Sequence, residues 1–227
     1  MTIHYRDEFE TPHIKVIRHC IGPLAVNTYI LICKRTRDAA VIDPGGESET
    51  IANVLKAEDV KATHMLFTHA HIDHIYGAEE LKSRIPEAKV TYHPLEADVV
   101  ASIPSMCQMF GMELRHMPSM EIDLAKSPEF SVGALQLRSL LTPGHTPGSV
   151  CFYIPEHKLM FTGDLLFKGS VGRTDFEGGS GADLRKSLDR ILEVIPDDVQ
   201  ILPGHGKYTN MGTERTNNFY LKVDRWR

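Results

Sequence analysis

The chain has 227 residues, 42% hydrophobic and 24% charged, with a formal net charge of −5. That length can bury a substantial core, and the composition excludes a collagen-like or largely disordered chain. The acidic balance argues against a broad electrostatic grip on nucleic acid, and the absence of any run of about eighteen apolar residues argues against a membrane span.

Residues 1–10 lack a basic segment followed by an apolar one and do not read as a secretory signal. Short apolar, β-branched runs follow at 13–19, 27–33 and 39–43, each expected to be a strand. Pro44-Gly45-Gly46 breaks the chain. Ile51, Val54 and Leu55 then predict a helix over 48–58. A buried-type strand at 64–68 runs into a turn rich in His and Asp. Ala78, Leu81 and Ile85 predict the next helix, stopped by Pro86. A strand at 89–92 precedes Pro94, which is placed to open a helix over 95–101. Residues 103–120 hold five methionines, Met106, Met109, Met112, Met117 and Met120, expected to be mainly core rather than a pocket or dimer contact. Strands return at 130–141, 149–154 and 158–162. Leu184, Leu188, Ile191, Leu192 and Ile195 mark a helix over 182–195, ended by Pro196, and 199–202 reads as a last strand. Each half of the chain thus repeats one order: a strand ending near an acid and glycine (VIDPGG, FTGDLL), a helix, then a strand ending near histidine (MLFTHAH, QILPGH). This echo suggests two similar halves packed into a single domain over 1–227, with both sets of strand ends on one edge.

Cys20, Cys33, Cys107 and Cys151 are far apart and form no C-x-x-C pair, which points to a reducing, cytoplasmic setting. No G-x-S-x-G is present, and no cysteine has a context marking it as a nucleophile.

The chemistry concentrates at Thr68 to His74, T-H-A-H-I-D-H. His69 and His71 lie two apart after a strand and can point the same way, while Asp73 and His74 can face a second point. Three further candidates follow apolar strands: His145 in TPGHTPG, Asp164 in FTGD and His205 in PGHG. A rigid scaffold can aim side chains placed there. Seven nitrogen and carboxylate donors without thiolate suit two divalent ions, Zn, Fe or Mn, rather than a structural zinc site. A carboxylate can hold two cations about 3.5–4 Å apart, and a water between them loses its proton near neutral pH. Such a site can hydrolyse an ester-like bond without a serine or cysteine nucleophile.

HAHIDH, TPGHTPGS, FTGD and LPGHG, in this order and spacing, resemble the metallo-β-lactamase superfamily over nearly the whole chain. The resemblance implies an α/β fold, the αβ/βα four-layer sandwich of two similar halves. It also implies that His69, His71 and His145 hold a first metal, that Asp73, His74 and His205 hold a second, and that Asp164 bridges them. Asp43, in VIDPGG, resembles a family carboxylate that holds the ligand loop by orienting a histidine. Thr68 is a hydroxyl candidate for the same task.

True β-lactamases of this superfamily commonly carry cysteine where this chain has Asp164. RNA-processing members add an inserted domain for which there is no room here. The segment 163–179 (GDLLFKGSVGRTDFEGG), with LPGHG and ERTNNF at 214–219, is more similar to the glyoxalase II branch, the hydroxyacylglutathione hydrolases, and to its short bacterial type. The same wording resembles persulfide dioxygenases, which bind one iron. Val171, where those often carry cysteine, and Gly206, where they carry an acid, tilt toward hydrolysis. Larger glyoxalase II members bind glutathione with a C-terminal helical domain, whereas only a short tail follows His205.

The expectation is therefore a dinuclear metal-dependent thioesterase acting on a small anionic thioester such as S-lactoylglutathione. A metal-bridging hydroxide is its nucleophile and Asp73 holds a metal and orients that hydroxide; no nucleic acid or membrane partner is expected. The alternative is a mononuclear iron sulfur dioxygenase of the same fold. Arg173 and Lys168 are candidate substrate contacts at the mouth. Tyr92, His93 and His116 are candidates for a pocket wall, although each has a simpler structural reading. Arg215, Lys222, Arg225 and Arg227 read as a solvated or interface end.

Overall fold

The computed structural model of the chain describes residues 5–22, 24–109 and 111–222. The first four residues, and Arg225 and Arg227 of the tail, lie outside them. The first sheet has seven strands in chain order: β1 (Tyr5–Glu10), β2 (Ile14–Ile21), β3 (Val26–Cys33), β4 (Asp38–Ile42), β5 (Lys61–Leu66), β6 (Lys89–Tyr92) and β7 (Ile122–Asp123). The strands up to β4 pair antiparallel, and those from β4 onward pair parallel. Next come β8 (Glu129–Val132), β9 (Leu135–Leu141), β10 (Val150–Ile154) and β11 (Leu159–Gly163), a small separate hairpin of β12 (Leu166–Phe167) and β13 (Ser170–Val171), then β14 (Gln200–Pro203) and β15 (Thr209–Asn210). The second sheet runs β15-β14-β11-β10-β9-β8. The helices are α1 (Ser48–Ala57), α2 (Ile72–Ile75), α3 (Ala78–Arg84), α4 (Ala97–Met109), α5 (Gly181–Val194), α6 (Met211–Asn217) and α7 (Phe219–Lys222). Among the described residues no helix is long and apolar enough to cross a membrane.

Strand alternation builds the four layers. In β3, Tyr29 and Leu31 join a core between the sheets with Leu137, Phe152 and Phe161, while Ile30 and Ile32 pack with Ile51, Leu81 and Ile103 of the first helical layer. Met160 and Ile201 of the second sheet face outward onto Leu184, Leu188 and Ile191 of α5. Each fully buried side chain of this kind contributes about 1.5–3 kcal/mol relative to exposure. This is the αβ/βα sandwich, and the repeated strand–helix–strand order has a structural basis. The units β4–α1–β5 and β11–α5–β14 each join two parallel, directly paired strands through a helix.

Most predicted elements stand within a few residues of their expected places. Four differ. The strand expected over 130–141 is a hairpin, β8 and β9, turning at Gly133 and Ala134. The helix expected over 95–101 begins after a 3-10 turn, Pro94–Glu96, and runs through Pro104 to Met109. Val99, Ile103 and Cys107, at helical spacing, are buried there, and their packing outweighs the lost N–H of Pro104. Met106, Met112 and Met117 pack against the same core, as expected, whereas Met109 is exposed. β1 was not expected because its residues are charged; it is an edge strand, where charge keeps other strands from pairing. Arg215 is not a solvated end either. Its guanidinium donates to the carbonyls of Leu192 and Ile195, at the C-terminal end of α5, where positive charge is favoured.

Candidate metal centre

Every predicted ligand follows a strand that ends on one edge of the sandwich. His69 and His71 come after β5, and Asp73 and His74 lie on the short α2. His145 sits in the turn between β9 and β10, Asp164 directly follows β11, and His205 follows β14. The carboxyl ends of parallel strands are where open α/β sheets form a binding crevice.

All seven side chains converge there. The rings of His69, His71 and His145 stand 4.6–4.8 Å apart by their centroids, and His71 Nδ1 lies 2.8 Å from His145 Nε2. Asp73 Oδ2 is 3.2 Å from His205 Nε2 and 3.6 Å from His74 Nε2. Asp164 stands between the two groups, 3.4 Å from His74 Nε2, 3.5 Å from His145 Nε2 and 3.7 Å from His205 Nε2. Three sets, His69–His71–His145, His69–His74–Asp164 and Asp73–His74–His205, each have donor atoms within 4.8 Å of one another.

The residues present fit divalent ions. His69 Nε2, His74 Nε2 and Asp164 Oδ1 are buried and, among the described residues, have no hydrogen-bond partner. An unsatisfied buried polar atom costs about 1–3 kcal/mol, which a cation between them would offset. Gly204 makes the closeness possible. A Cβ there would stand 2.4 Å from Asp164 Oδ1 and 2.8 Å from His74 Cε1.

Neighbouring groups fix which nitrogen faces inward on four of the five rings, His69, His74, His145 and His205. Asp43 is buried and accepts the Thr68 N–H at 2.7 Å, the Thr68 hydroxyl at 2.6 Å and His74 Nδ1–H at 2.9 Å. Its φ of 50° is left-handed, a region aspartate tolerates better than most residues. With its proton given to Asp43, Thr68 Oγ1 accepts from His69 Nδ1 at 3.1 Å, so His69 also presents Nε2. His145 Nδ1 donates to the carbonyl of Arg173 at 2.8 Å, and His205 Nδ1 to that of Ala25 at 3.3 Å. These contacts set tautomer and ring orientation, as carbonyls and carboxylates do behind metal-binding histidines.

The electrostatics divide the site. Burial, reinforced by neighbouring histidines, holds His69 well below the usual imidazole range, and the same causes bring His71 down to about 3. Both are neutral at pH 7, with lone pairs ready to coordinate. Burial opposes charge on His74 too, but Asp73, Asp164 and Asp43 outweigh it and push its pKa well up. A cation bound there displaces that proton. Asp164 is held far below the carboxylate range: burial works against ionisation, but His74, His205 and His145 dominate.

The His205 loop hangs from the first sheet. The Asn27 side chain donates to the carbonyls of Pro203 and Gly206 at 2.9 and 3.0 Å, Tyr29 hydroxyl to Pro203 O at 2.7 Å, and Arg18 to Gly206 O at 2.8 Å.

Arg173 stands at the rim and its carbonyl serves His145, but its guanidinium is exposed, pairs with Asp175 through two 2.6 Å hydrogen bonds and lies 4.3 Å over the Phe176 ring. Lys168 is exposed in the β12–β13 turn. His93 is drawn into capping, its Nδ1 accepting the Leu95 N–H, and Tyr92 packs against Phe67. His116 is exposed, with its backbone N–H on Glu79. Sequence reasoning looked for charge and missed two rings. Phe176 lies 5.2 Å from His71 and Phe167 lies 6.2 Å from His205. The signal was there: an aromatic residue inside a glycine-rich, polar loop. Glu214, read from the sequence only as part of ERTNNF, is buried and holds the hairpin carrying Phe167. Glu214 accepts the Gly169 N–H, the Thr209 hydroxyl and the Asn218 amide.

The family profile described as the Metallo-beta-lactamase superfamily matches residues 21–205. The chain is 35% identical over 197 residues to the hydroxyacylglutathione hydrolase GloC of Haemophilus influenzae, covering 84% of this chain and 91% of the relative. The crystal structure of the BLEG-1 B3 metallo-β-lactamase superposes with a TM-score of 0.84 at 29% identity, covering 92% and 100% of the two chains. That of TTHA1623 in a di-iron-bound form superposes with a TM-score of 0.80 at 33% identity, covering 89% and 98%. The chain belongs to the metallo-β-lactamase superfamily and is a metallo-hydrolase of that superfamily, a family that binds divalent metals.

Proposed function

Proceeding from that membership, we propose that the chain is a dinuclear metal-dependent thioesterase of glyoxalase II type. The observation that carries the reading is the pair of ligand groups sharing Asp164 between them. An aspartate there, the similarity to GloC and the likeness to a structure with two irons support it. In this reading His69, His71 and His145 hold one ion, Asp73, His74 and His205 the other, and Asp164 both. Bound divalent ions supply Lewis acidity toward a carbonyl oxygen and a nucleophile drawn from water at neutral pH.

The chain's own residues do the rest. Asp43, Thr68 and the Arg173 and Ala25 carbonyls keep the imidazoles aimed. Asp73, which is half-buried, orients the attacking water by accepting its hydrogen bond. Phe167 and Phe176 flank the ligands on two sides and wall the reacting bond from bulk water, and an acyl chain or thiol carrier can lie along them.

The test is anaerobic turnover of S-lactoylglutathione by the full chain loaded with Zn, Fe or Mn. Thioester cleavage without oxygen is the expected result. Oxygen uptake with glutathione persulfide and no thioester cleavage would make the chain a dioxygenase instead, and opening of a β-lactam ring in place of thioester cleavage would make it a lactamase.

Arg173 is proposed as a modest anchor for the anionic end of the substrate. Its guanidinium is exposed and shared with Asp175, so it acts on binding and not on chemistry. Arg173→Ala is expected to raise KM for an anionic thioester a few-fold, leave kcat nearly unchanged and leave a neutral thioester unaffected. A loss of kcat for charged and neutral thioesters alike would assign Arg173 to the support of His145.

A further inference from the structure

Glu96 is fully buried at the end of the 3-10 turn that leads into α4. Its Oε2 accepts the backbone N–H of Ala70 at 2.7 Å. Its Oε1 accepts the backbone N–H of Gly148 at 2.7 Å and the hydroxyl of Thr146 at 2.6 Å. Ala70 lies between His69 and His71, and Thr146 directly follows His145. We infer that Glu96 is a positioning residue whose carboxylate clasps the two loops that carry His69, His71 and His145, and so fixes the cavity those three histidines form. The inference rests on the proposal that they hold one ion.

The local chemistry suits a clasp and little else. Three donors converge on two oxygens, an arrangement an ionised carboxylate satisfies and an amide cannot. Glutamine would have to turn its NH2 toward at least one of them. Hydrogen bonds to a charged acceptor are about twice as strong as neutral ones, which offsets the burial of the charge. The turn is shaped to close on it. A Cβ at residue 148 would stand 2.7 Å from the Glu96 backbone nitrogen and 2.8 Å from its Oε1, so only glycine lets the loop approach. Ser149 braces the same turn, its Oγ accepting the Thr146 N–H at 3.2 Å and sharing a 2.6 Å hydrogen bond with the Thr146 hydroxyl. Across the gap so defined, His71 Nδ1 and His145 Nε2 stand 2.8 Å apart, and the Thr68 carbonyl, accepting the Val150 N–H at 2.8 Å, ties the same two segments from the strand side. Glu96 touches no ligand side chain in these contacts; it acts through the backbone that carries them.

The test is a titration of the metal-free full chain with Co2+, read by visible absorption and by competition with a chelator. His71→Ala identifies the absorption band and binding step of the ion held by the three histidines. Glu96→Gln is expected to weaken that step by roughly 10- to 100-fold and to alter its band, while the step at Asp73, His74 and His205 keeps its affinity. A folded Glu96→Gln protein that binds both ions as the parent does, or that loses both steps equally, would overturn the inference. Should Glu96→Gln fail to fold, Thr146→Val removes one of the three donors and must weaken the same step in the same direction, by less; an unchanged step overturns the inference equally. A parent protein whose Co2+ binding is insensitive to His71→Ala overturns the ligand assignment itself, a distinct result.

Discussion

Asp164→Ala is expected to abolish stable two-metal loading and to lower kcat/KM by roughly 10^3-fold or more, equivalent to about 4 kcal/mol of transition-state stabilisation. The size follows from position. Among the described residues, Asp164 is the one carboxylate within 3.7 Å of imidazole nitrogens from both ligand groups, at His74, His145 and His205. On the proposed ligand assignment, removing it deletes a ligand of both ions, and it deletes the charge that counters three crowded imidazoles. Alanine cannot replace either. Elemental analysis under saturating Zn, Fe or Mn is the check: two ions per chain in the parent and at most one, weakly held, in the variant. A parent that never exceeds one ion, or a variant that keeps two, would remove the bridging role.

Asp43→Ala should be the next most damaging change, although Asp43 stands outside the proposed ligand set. It would leave the Thr68 N–H, the Thr68 hydroxyl and the His74 ring without their acceptor in a buried site. Breaking a buried charged contact by deleting one partner costs about 3–5 kcal/mol. Loss of an orienting partner behind a metal-binding histidine typically costs roughly 10- to 100-fold in metal affinity. Both effects are expected, with stability measured by urea denaturation and affinity by chelator competition. Asp43→Asn should fall between, because asparagine keeps the left-handed backbone and one acceptor oxygen. Equal metal affinity in parent and Asp43→Ala would show that packing alone orients His74.

The readable parts of this sequence were those with a period or a dense chemical signature. The seven converging side chains could be picked out because each follows an apolar strand, and strand ends on one edge converge without any long-range knowledge. Asp43 was readable through the resemblance of VIDPGG to a family motif, and Thr68 as a hydroxyl beside the histidine cluster. Alternation in β3, buried on both faces, hid which side met which layer until the partner sheet was in place. Glu96 was invisible: a glutamate in HPLE reads as a solvated charge, and its three donors come from segments about 26 and 50 residues away. Arg215 failed in the same direction, since a charged residue near the end of the chain reads as solvent-facing until the carbonyls of α5 are beside it. Phe176 was passed over because a search for electrostatic anchors does not register an aromatic wall.

The suspension of the His205 loop from the first sheet changes what an arriving ion has to do. Asn27, Tyr29 and Arg18 tie the loop's carbonyls to β2 and β3, in the same sheet whose strand β5 leads to His69. On the proposed ligand set, folding itself therefore places the His205 loop, and an ion would enter a mould already cast on that side instead of drawing the loop around itself. A mould made of imidazole and carboxylate accepts Zn, Fe and Mn by the same donors, and among such ions occupancy follows supply as much as affinity. On the proposed ligand set, the donors by themselves single out none of these metals, and the supply of ions in the cell would weigh in which one fills the mould.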